Sequence, residues 1–332
     1  MSIPLLDSDI FSVGGVTYQG RDLVRAAQRW SDWAALETRI REGLASVARA
    51  ADADDDVSEA ELEAAAAEFR YDRDLISGQE MEVWLARWSL DADDWTEYLR
   101  RELLRDRWAT ELEAMMARYP VDPEEVEEVL AAEAVCSGFL GRIATKLAGR
   151  AGAAARAREE GWLPDEGLED HPDALLARID AGYGVFRERI VTEAALAAQL
   201  TAHRLDWIRV DCSCVSLPTR EAASEAALCV REDGMDLDDV ARSADLDLDV
   251  LAGFLEDCEA PLRDRLLTAR GGDLIGPIET QDEVLLVLVK AKILPSLEDS
   301  AVRFRAQKRV LDTALAREIH DRVRWHRPEL AT

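Results

Sequence analysis

The spacing of apolar and polar residues divides the chain into a long helical region followed by a region of alternating residues. Residues 1–200 are dominated by Ala, Leu, Glu and Arg, which are strong helix formers. From about residue 207 the pattern changes, because residues 207–217 alternate in polarity and are rich in β-forming types. The sequence therefore predicts an α+β protein in which helices come first and a sheet follows.

Three further segments complete the predicted sheet. Residues 274–278 and 284–293 are apolar runs separated by a polar turn at 279–283, which is the pattern of a hairpin. Residues 251–255 form a shorter apolar run and are expected to be an edge strand.

The last part of the chain, from about residue 300 to 325, is predicted to be helical again. Its apolar residues recur mostly four positions apart, and they are Val302, Leu311, Leu315, Ile319 and Val323. This spacing places them along one stripe of a helix, which we expect to be buried.

Local signals mark where helices begin in the first 200 residues. Ser58 followed by Glu61 is a capping box that opens a helix, and Ser77 and Asp91 precede two further helices. Pro120 and Pro123 frame a break before the next helix. The helical region is therefore expected to consist of short helices joined by tight turns.

A looser connection is expected within the helical region, where glycine and alanine accumulate. Residues 149–155 and then 161–167 carry these glycines. Because glycine weakens a helix, the sequence predicts that the chain opens here.

The net charge limits the expected partners. Asp and Glu total 68 against 40 Lys and Arg, which gives a formal net charge of -28. Such a surface repels phosphate backbones, so nucleic acid is not an expected partner, whereas cationic or neutral peptides are compatible with it. No run approaches the roughly 18 apolar residues that a membrane span needs, so no membrane partner is expected.

The compartment is predicted to be the cytoplasm. Residues 1–9 contain neither a basic region nor a long apolar run, so a secretory signal is not expected. An odd number of cysteines in a long chain suggests thiols in a reducing compartment, and the five are Cys136, Cys212, Cys214, Cys229 and Cys258.

Signals for metal or cofactor chemistry are outweighed by simpler explanations. Asp52, Asp54 and Asp56 have the spacing of a calcium loop, but Val57 stands where that loop needs glycine, so an acidic loop before a capped helix is the preferred interpretation. Cys212 and Cys214 could be considered zinc ligands, but a zinc site usually needs four ligands and a Cys-x2-Cys knuckle, and neither is present in the sequence around them. We therefore expect no metal, no cofactor and no catalytic residue of the Ser-His-Asp or Cys-His kind.

Tryptophan is concentrated in the helical region, at Trp30, Trp33, Trp84, Trp88, Trp95 and Trp108. Core packing explains most of these side chains. The alternative is that one or two of them line a peptide-binding groove.

Several segments carry a family resemblance. Residues 272–281, Gly272-Asp-Leu-Ile-Gly-Pro-Ile-Glu-Thr-Gln281, match a hairpin pattern of Gly-x-x-x-Gly-Pro-x-x-Thr. Asp236-Leu-Asp-Asp-Val-Ala241 fits a helix turn of the form Asp-Phe-x-x-Leu-Ala, and residues 214–223 stand where a strand is followed by a helix. In these segments the chain resembles the PpiC-type parvulin family of peptidyl-prolyl isomerases. Residues 57–104 and 297–325 are similar to the helical lobe of SurA-like chaperones.

The resemblance implies a domain organisation. A helical chaperone-like lobe is expected over residues 1–200, a parvulin-like antiparallel sheet domain over 205–295, and a C-terminal helix that packs back on the lobe over 296–326. The fold class is thus α+β, with the sheet domain inserted between the N-terminal helices and the C-terminal helix.

The resemblance also implies a prolyl-binding pocket, and this chain departs from it at every defining position. Aligned on the hairpin, Cys214 and Leu285 stand where the family has two histidines, while Cys258 and Leu262 stand where it has a Met and a Phe. The predicted peptide-binding residues are Cys212, Cys214, Leu251, Phe254, Cys258, Leu262 and Leu285. A pocket without its polar pair predicts a binding module in which no residue is catalytic.

Three functions follow as hypotheses. The first is a non-catalytic peptide-binding chaperone or guide, and because SurA-like proteins of this kind occur near ribosomal-peptide (RiPP) maturation systems, its client is expected to be an unfolded polypeptide or a precursor or leader peptide. The second is an active parvulin-type prolyl isomerase. The third is a structural adaptor of a peptide-modifying complex that docks through the helical lobe.

Overall fold

The computed structural model describes residues 5–163, 174–279 and 283–331. The chain divides into two compact units. Unit 1 comprises Met1–Phe186 and Leu315–Thr332, and unit 2 comprises Arg187–Ala314.

Unit 1 is mainly helical. In chain order its helices are α1 (Gly20–Arg29), α2 (Asp32–Ala53), α3 (Glu59–Asp72), α4 (Gly78–Trp88), α5 (Ala92–Arg107), α6 (Leu112–Arg118), α7 (Pro123–Cys136), α8 (Phe139–Glu159) and α9 (Ala174–Ile190), the last of which ends in unit 2. Most of their apolar faces share one core that includes Leu23, Ile40, Leu99 and Leu147, whereas Met115 of α6 packs in a second cluster.

The predicted helix starts are confirmed by capping boxes. Ser58, Ser77 and Asp91 each accept a backbone N–H from the third residue of the helix they precede. The carboxylates at those third residues accept the N–H of the cap in return, and they belong to Glu61, Glu80 and Asp94. Each box satisfies two backbone donors that the helix itself leaves unpaired.

The expectation of a purely helical N-terminal region is wrong at its start. Strands β1 (Asp9–Val13) and β2 (Val16–Gln19) form a hairpin whose turn is Gly14-Gly15, with φ of +56° and +82°. The C-terminal helix was expected to reach residue 325, yet the residues from Val323 to Trp325 form a third strand of this sheet. The third strand lies beside β1, on the side opposite to β2. Its pairing with β1 is a contact between distant parts of the sequence, which local helix propensity does not reveal.

The expectation of a loose connection at residues 149–155 is also wrong, because these residues lie inside α8. A Cβ on Gly149 would lie 3.5 Å from Ile319 Cδ1, and one on Gly152 would lie 3.2 Å from Glu318 Cβ. The small residues thus let another helix approach closely. Residues 164–167 of the second expected stretch lie outside the described residues.

Unit 2 is built on a four-stranded antiparallel sheet. In chain order its elements are α10 (Glu193–Ala202), β3 (Arg209–Leu217), α11 (Arg220–Arg231), α12 (Leu237–Ser243), β4 (Asp249–Phe254), α13 (Ala260–Thr268), β5 (Leu274–Glu279), β6 (Val284–Ile293) and α14 (Ser300–Arg322), followed in unit 1 by β7 (Val323–Trp325). The strand order is β4-β3-β6-β5. All four predicted strands are confirmed, while the turn residues 280–282 lie outside the described residues.

The buried stripe of α14 differs from the predicted one. Val302, Ala306 and Val310 are its buried apolar positions, whereas Leu311 is only half-buried. Val302, Ala306 and Val310 pack in unit 2 in a cluster that contains Trp207, which is fully buried.

Taken together, the elements of the two units make the protein an α+β fold, with a helical region and two small antiparallel sheets.

Candidate functional site

One face of the four-stranded sheet carries an apolar cluster that we call the site cluster. Its buried members are Ile208, Val210, Cys212, Cys214, Leu255, Leu266, Val287 and Val289, and its half-buried members include Leu251, Cys258, Leu262, Ile275 and Leu285. Cys212 and Cys214 share this face because side chains two apart on a strand point to the same side. Leu262 and Leu266, four apart on α13, cover the same face of the sheet.

The structure brings six of the seven predicted peptide-binding residues together in the site cluster. The six are Cys212, Cys214, Leu251, Cys258, Leu262 and Leu285. These include all four residues that the alignment places at pocket positions. Their proximity comes from the pairing of β3 with β4 and β6 and from the packing of α13.

Phe254 is the residue that the structure places elsewhere. It lies three residues after Leu251 on β4, so its side chain points to the opposite face of the sheet. There it packs in the cluster of Trp207 and Val302, and the guanidinium of Arg305 lies 4.1 Å from its ring centroid. The expectation that Phe254 joins the other six in one site is therefore wrong.

The site cluster has a buried base and a more accessible rim. Cys212 is fully buried and Cys214 is 8% exposed, whereas Leu251, Cys258, Leu262 and Leu285 are each half-buried. The rim therefore offers apolar surface to a ligand, and the base supports it. Apolar area removed from water is worth about 25 cal/mol per Å² before the costs of binding are counted.

The thiols of the cluster are held in their neutral form. Burial raises the pKa of Cys212 and of Cys214 to about 11, and for Cys214 the nearby Asp249 carboxylate raises the pKa further. Burial also raises the pKa of Cys258, beside Asp257. Because the thiolate is the nucleophilic form, these cysteines are poor nucleophiles at neutral pH.

The described part of unit 2 contains one histidine, His203, and it lies outside the site cluster. Its ring stacks on Trp207 with the centroids 5.0 Å apart, and its Nδ1 lies 3.2 Å from Asp206 Oδ2. Within the described part of unit 2, the site cluster therefore contains no imidazole.

Sequence reasoning missed several buried members of the cluster. Val287 and Val289 lie on the same face of β6 as Leu285, and the strand predicted at 284–293 implies this, because side chains two apart on a strand point to the same side. Leu255 lies four residues after Leu251 in the predicted edge strand, so the same rule implies a shared face. Leu266 had no comparable signal, since its position depends on how α13 folds back on the sheet.

A second concavity lies beside β5, next to the site cluster. This cleft has a volume of about 530 Å³ and shares Ala269 and Ile275 with the surroundings of the site cluster. Its walls are more polar, since Arg231 and Asp273 line it. Arg231 Nη2 donates to Leu274 O at 3.1 Å, so this wall is already occupied by an internal hydrogen bond.

The acidic loop before α3 is neutralised by arginines. Arg100 Nη2 lies 2.7 Å from Asp56 Oδ2, and this pairing lowers the pKa of the Asp56 carboxyl. Asp55 is paired in the same way with Arg107, at 3.1 Å. Within the described ranges, no group of three or more His, Cys, Asp or Glu side chains is arranged to hold a metal ion.

The tryptophans of unit 1 mostly pack in its interior. Trp33, Trp88 and Trp108 are buried. Trp84 is half-buried and, with Val83, lines a cleft of about 450 Å³ at the start of α4. The position of Trp84 fits the alternative that one or two tryptophans line a peptide-binding groove.

Comparisons with known proteins find solved structures of similar fold but no family model and no curated protein that matches the sequence. No model of a protein family matches the chain, and no curated protein matches it. The fold is similar to the foldase protein PrsA from Streptococcus pneumoniae, at 10% identity and a TM-score of 0.30, over 95% of this chain and 88% of that one.

Two further solved structures are similar in the same sense. PrsA from Bacillus subtilis matches at 10% identity and a TM-score of 0.22, over 95% of this chain and 91% of that one. A SurA-like chaperone structure from Campylobacter jejuni, from a study of PEB4 and Cj1289, matches at 9% identity and a TM-score of 0.19, over 76% of this chain and 96% of that one. At these scores, the fold assignment rests on the topology of the chain itself.

None of the described helices is both long enough and apolar enough to cross a membrane.

Proposed function

We propose that unit 2 binds extended or unfolded polypeptide through the rim of the site cluster, without catalysing a reaction on it. The observation that carries this proposal is the convergence of six predicted residues on one face of the sheet, all of them aliphatic side chains or thiols. A half-exposed apolar surface above a buried base suits an apolar side chain of a peptide.

The chemistry of the cluster favours binding over isomerisation. Rotation about a peptide bond has a barrier of about 18–20 kcal/mol, and lowering it requires groups that stabilise the twisted amide. Cys214 and Leu285, which replace the family's two histidines, offer a neutral thiol and an aliphatic chain. Neither side chain supplies a charge or a strong hydrogen bond to the amide.

The proposed client is a precursor or leader peptide in the cytoplasm. The net charge of -28 favours peptides that are neutral or cationic. The described cysteines are all free thiols, which is compatible with a reducing compartment. The link to ribosomal-peptide maturation comes from the family resemblance alone.

The proposal is tested by changing the rim and measuring peptide binding. In the Leu262→Gln variant a polar side chain enters the site cluster, and we expect the affinity for apolar peptides in a fluorescence anisotropy assay to fall about tenfold or more. Leu267→Gln is the matched control, because Leu267 lies on the same helix and is 40% exposed. Equal binding by both variants and the unchanged protein would contradict a site at this rim.

A protease-coupled assay on short Xaa-Pro peptides separates binding from isomerisation. We expect no acceleration at catalytic protein concentrations. An acceleration that falls in Cys214→Ala and Leu285→Ala variants would instead establish an active isomerase at the same cluster.

A second candidate function, an adaptor that docks through unit 1, is favoured by exposed apolar side chains on α3, on α4 and between them. Tyr71 is 86% exposed, Ile76 is 84% exposed and Val83 is 54% exposed, and Val83 lines the same cleft as Trp84. A full-length Ile76→Glu variant that loses a co-purifying modification enzyme while keeping peptide affinity would support this role.

A further inference from the structure

The two edge strands of the four-stranded sheet differ in whether they are open to another strand. At the β5 edge, Arg231 Nη2 donates to Leu274 O at 3.1 Å and to Gly276 O at 3.4 Å. Pro277 on the same strand has no backbone N–H to offer. These features close the β5 edge, as natural sheets commonly do.

The backbone groups of β4 can be assigned a direction from its pairing with β3. Leu255 N–H donates to Ile208 O at 2.9 Å, and the register continues along β4 without a shift. In an antiparallel pair, hydrogen-bonded residues alternate with residues whose N–H and C=O point away. Leu251 and Gly253 therefore bond to β3, and the outward groups belong to Val250 and Ala252.

The outward side of β4 is accessible. Val250 is 66% exposed and Ala252 is also exposed. β4 stands at the end of the strand order, and no strand of the described residues pairs with its outer side. Two N–H and two C=O groups are thus presented in the spacing that an extended peptide complements.

The β4 edge is continuous with the site cluster. Leu251 belongs both to the edge strand and to the rim of the cluster. If a peptide strand pairs with β4, a peptide residue opposite Leu251 or Gly253 directs its side chain to the face of the sheet that carries the site cluster. At Gly253 a Cβ would meet nothing within 4 Å, so this position leaves space for a client side chain.

Charge distinguishes the two ends of β4. Asp247 and Asp249 are exposed at its start, and in the part of the chain that the structure describes neither has an ion pair. After its end, Glu256 and Asp257 are both paired with Arg305. The free negative charge therefore lies at the start of β4, where an antiparallel partner strand would have its C-terminal end.

We propose that an extended client segment adds to the outer side of β4 as an antiparallel fifth strand, with alternate apolar residues over the site cluster and a Lys or Arg at its C-terminal end beside Asp247 and Asp249. This inference rests on the proposed function, since the client is the peptide that the site cluster binds. It adds the backbone register, the direction and the charge pattern of that client.

The first test removes the outward N–H at position 252 and leaves the bonds to β3 intact. We expect Ala252→Pro to weaken the binding of a Val-Lys-Val-Thr-Val-Lys-Lys peptide about fivefold to tenfold, which is the effect of one or two lost hydrogen bonds. Ala252→Thr keeps the N–H, favours a strand and serves as the matched control. Equal affinity of the two variants would overturn the proposal.

The second test changes only the peptide, so it does not depend on how a variant folds. N-methylation at successive positions should weaken binding at every second residue, because only alternate N–H groups face β4. Moving the two lysines to the N-terminal end should also weaken binding. Uniform sensitivity to N-methylation, or tighter binding of the reversed charge order, would overturn the proposal.

The outcomes separate this inference from the function on which it rests. If no peptide binds, the proposed function fails. If peptides bind and Leu262→Gln abolishes binding, while Ala252→Pro and N-methylation change nothing, only strand addition fails. The protein could instead sediment as a dimer that Ala252→Pro converts to a monomer but that added peptide leaves unchanged. In that case the edge pairs with a second copy, and the proposal is overturned.

Discussion

Charged side chains are buried in one unit of this protein, whereas the site cluster of the other contains thiols and aliphatic side chains. Among the described residues the buried charged side chains are Arg101, Glu133 and Glu318, and all three belong to unit 1. Glu133 Oε1 lies 3.0 Å from Arg39 Nε, and its Oε2 lies 3.8 Å from Arg101 Nη2.

The difference shows two ways of using a buried face. A buried ion pair is costly to desolvate and fixes its partners in one arrangement, so it suits an interior that does not open. Burial lowers the pKa of Arg101, and the Glu133 carboxylate opposes that effect. The site cluster has no such constraint, and under the proposed function its apolar rim exchanges water for a peptide.

The largest effect on stability is expected when the charge on Glu133 is removed. Glu133→Gln removes the ion-pair partner of Arg101, which is 4% exposed. Breaking a buried pair in this way typically costs about 3–5 kcal/mol, and we expect a fall of that size in the free energy of unfolding of unit 1. Hydrogen exchange followed by mass spectrometry assigns the loss to a unit.

The exposed Glu127 on the same helix provides the control, because Glu127→Gln should change stability by less than about 0.5 kcal/mol. Comparable effects of the two variants would mean that the Glu133 pairs contribute no more than surface charge.

A smaller effect is expected in unit 2, where polarity rather than charge is varied. Cys212→Ser places a hydroxyl at a fully buried position of an apolar cluster, and we expect it to lower the free energy of unfolding by about 1–3 kcal/mol. Cys212→Val keeps the site apolar and should cost less than about 1.5 kcal/mol. Urea denaturation of both variants measures the difference. A serine variant as stable as the valine variant would show that the cluster is not an apolar environment.

The smallest expected effect is at the exposed capping box of α3, where a carboxylate of unit 1 stays in water. Hydrogen bonds from Ser58 lower the pKa of Glu61 from 4.5 to about 2. A carboxyl whose pKa is lower in the folded state stabilises that state above its unfolded pKa. This stabilisation is lost as the pH falls from about 4.5 to about 2.

The capping box is tested by pH-dependent urea denaturation. Ser58→Ala should lower the free energy of unfolding by about 1 kcal/mol at neutral pH. Glu61→Gln should reduce the acid sensitivity in the same pH window. Glu59→Gln, in the same helical turn but without a bond to Ser58, is the control. An unchanged acid profile in Glu61→Gln would contradict the role of the box.

Much of the fold was readable from local patterns because local forces set those elements. The boxes at Ser58, Ser77 and Asp91 mark helix starts through contacts over three residues. The strands at 274–279 and 284–293 follow from short apolar runs between turns. The candidate site was predicted less completely, because Phe254 and Leu251 were grouped together although they lie on opposite faces of β4.

By itself the sequence determined the order of helices and strands, the helix caps, the acidic surface and the set of apolar residues from which a site is built. Each depends on neighbouring residues or on composition. Only the tertiary structure decided that Val323–Trp325 pairs with β1, that the glycines of α8 admit a second helix, and which side of β4 is open. These features depend on contacts between residues far apart in the chain, whose energies a local pattern does not contain.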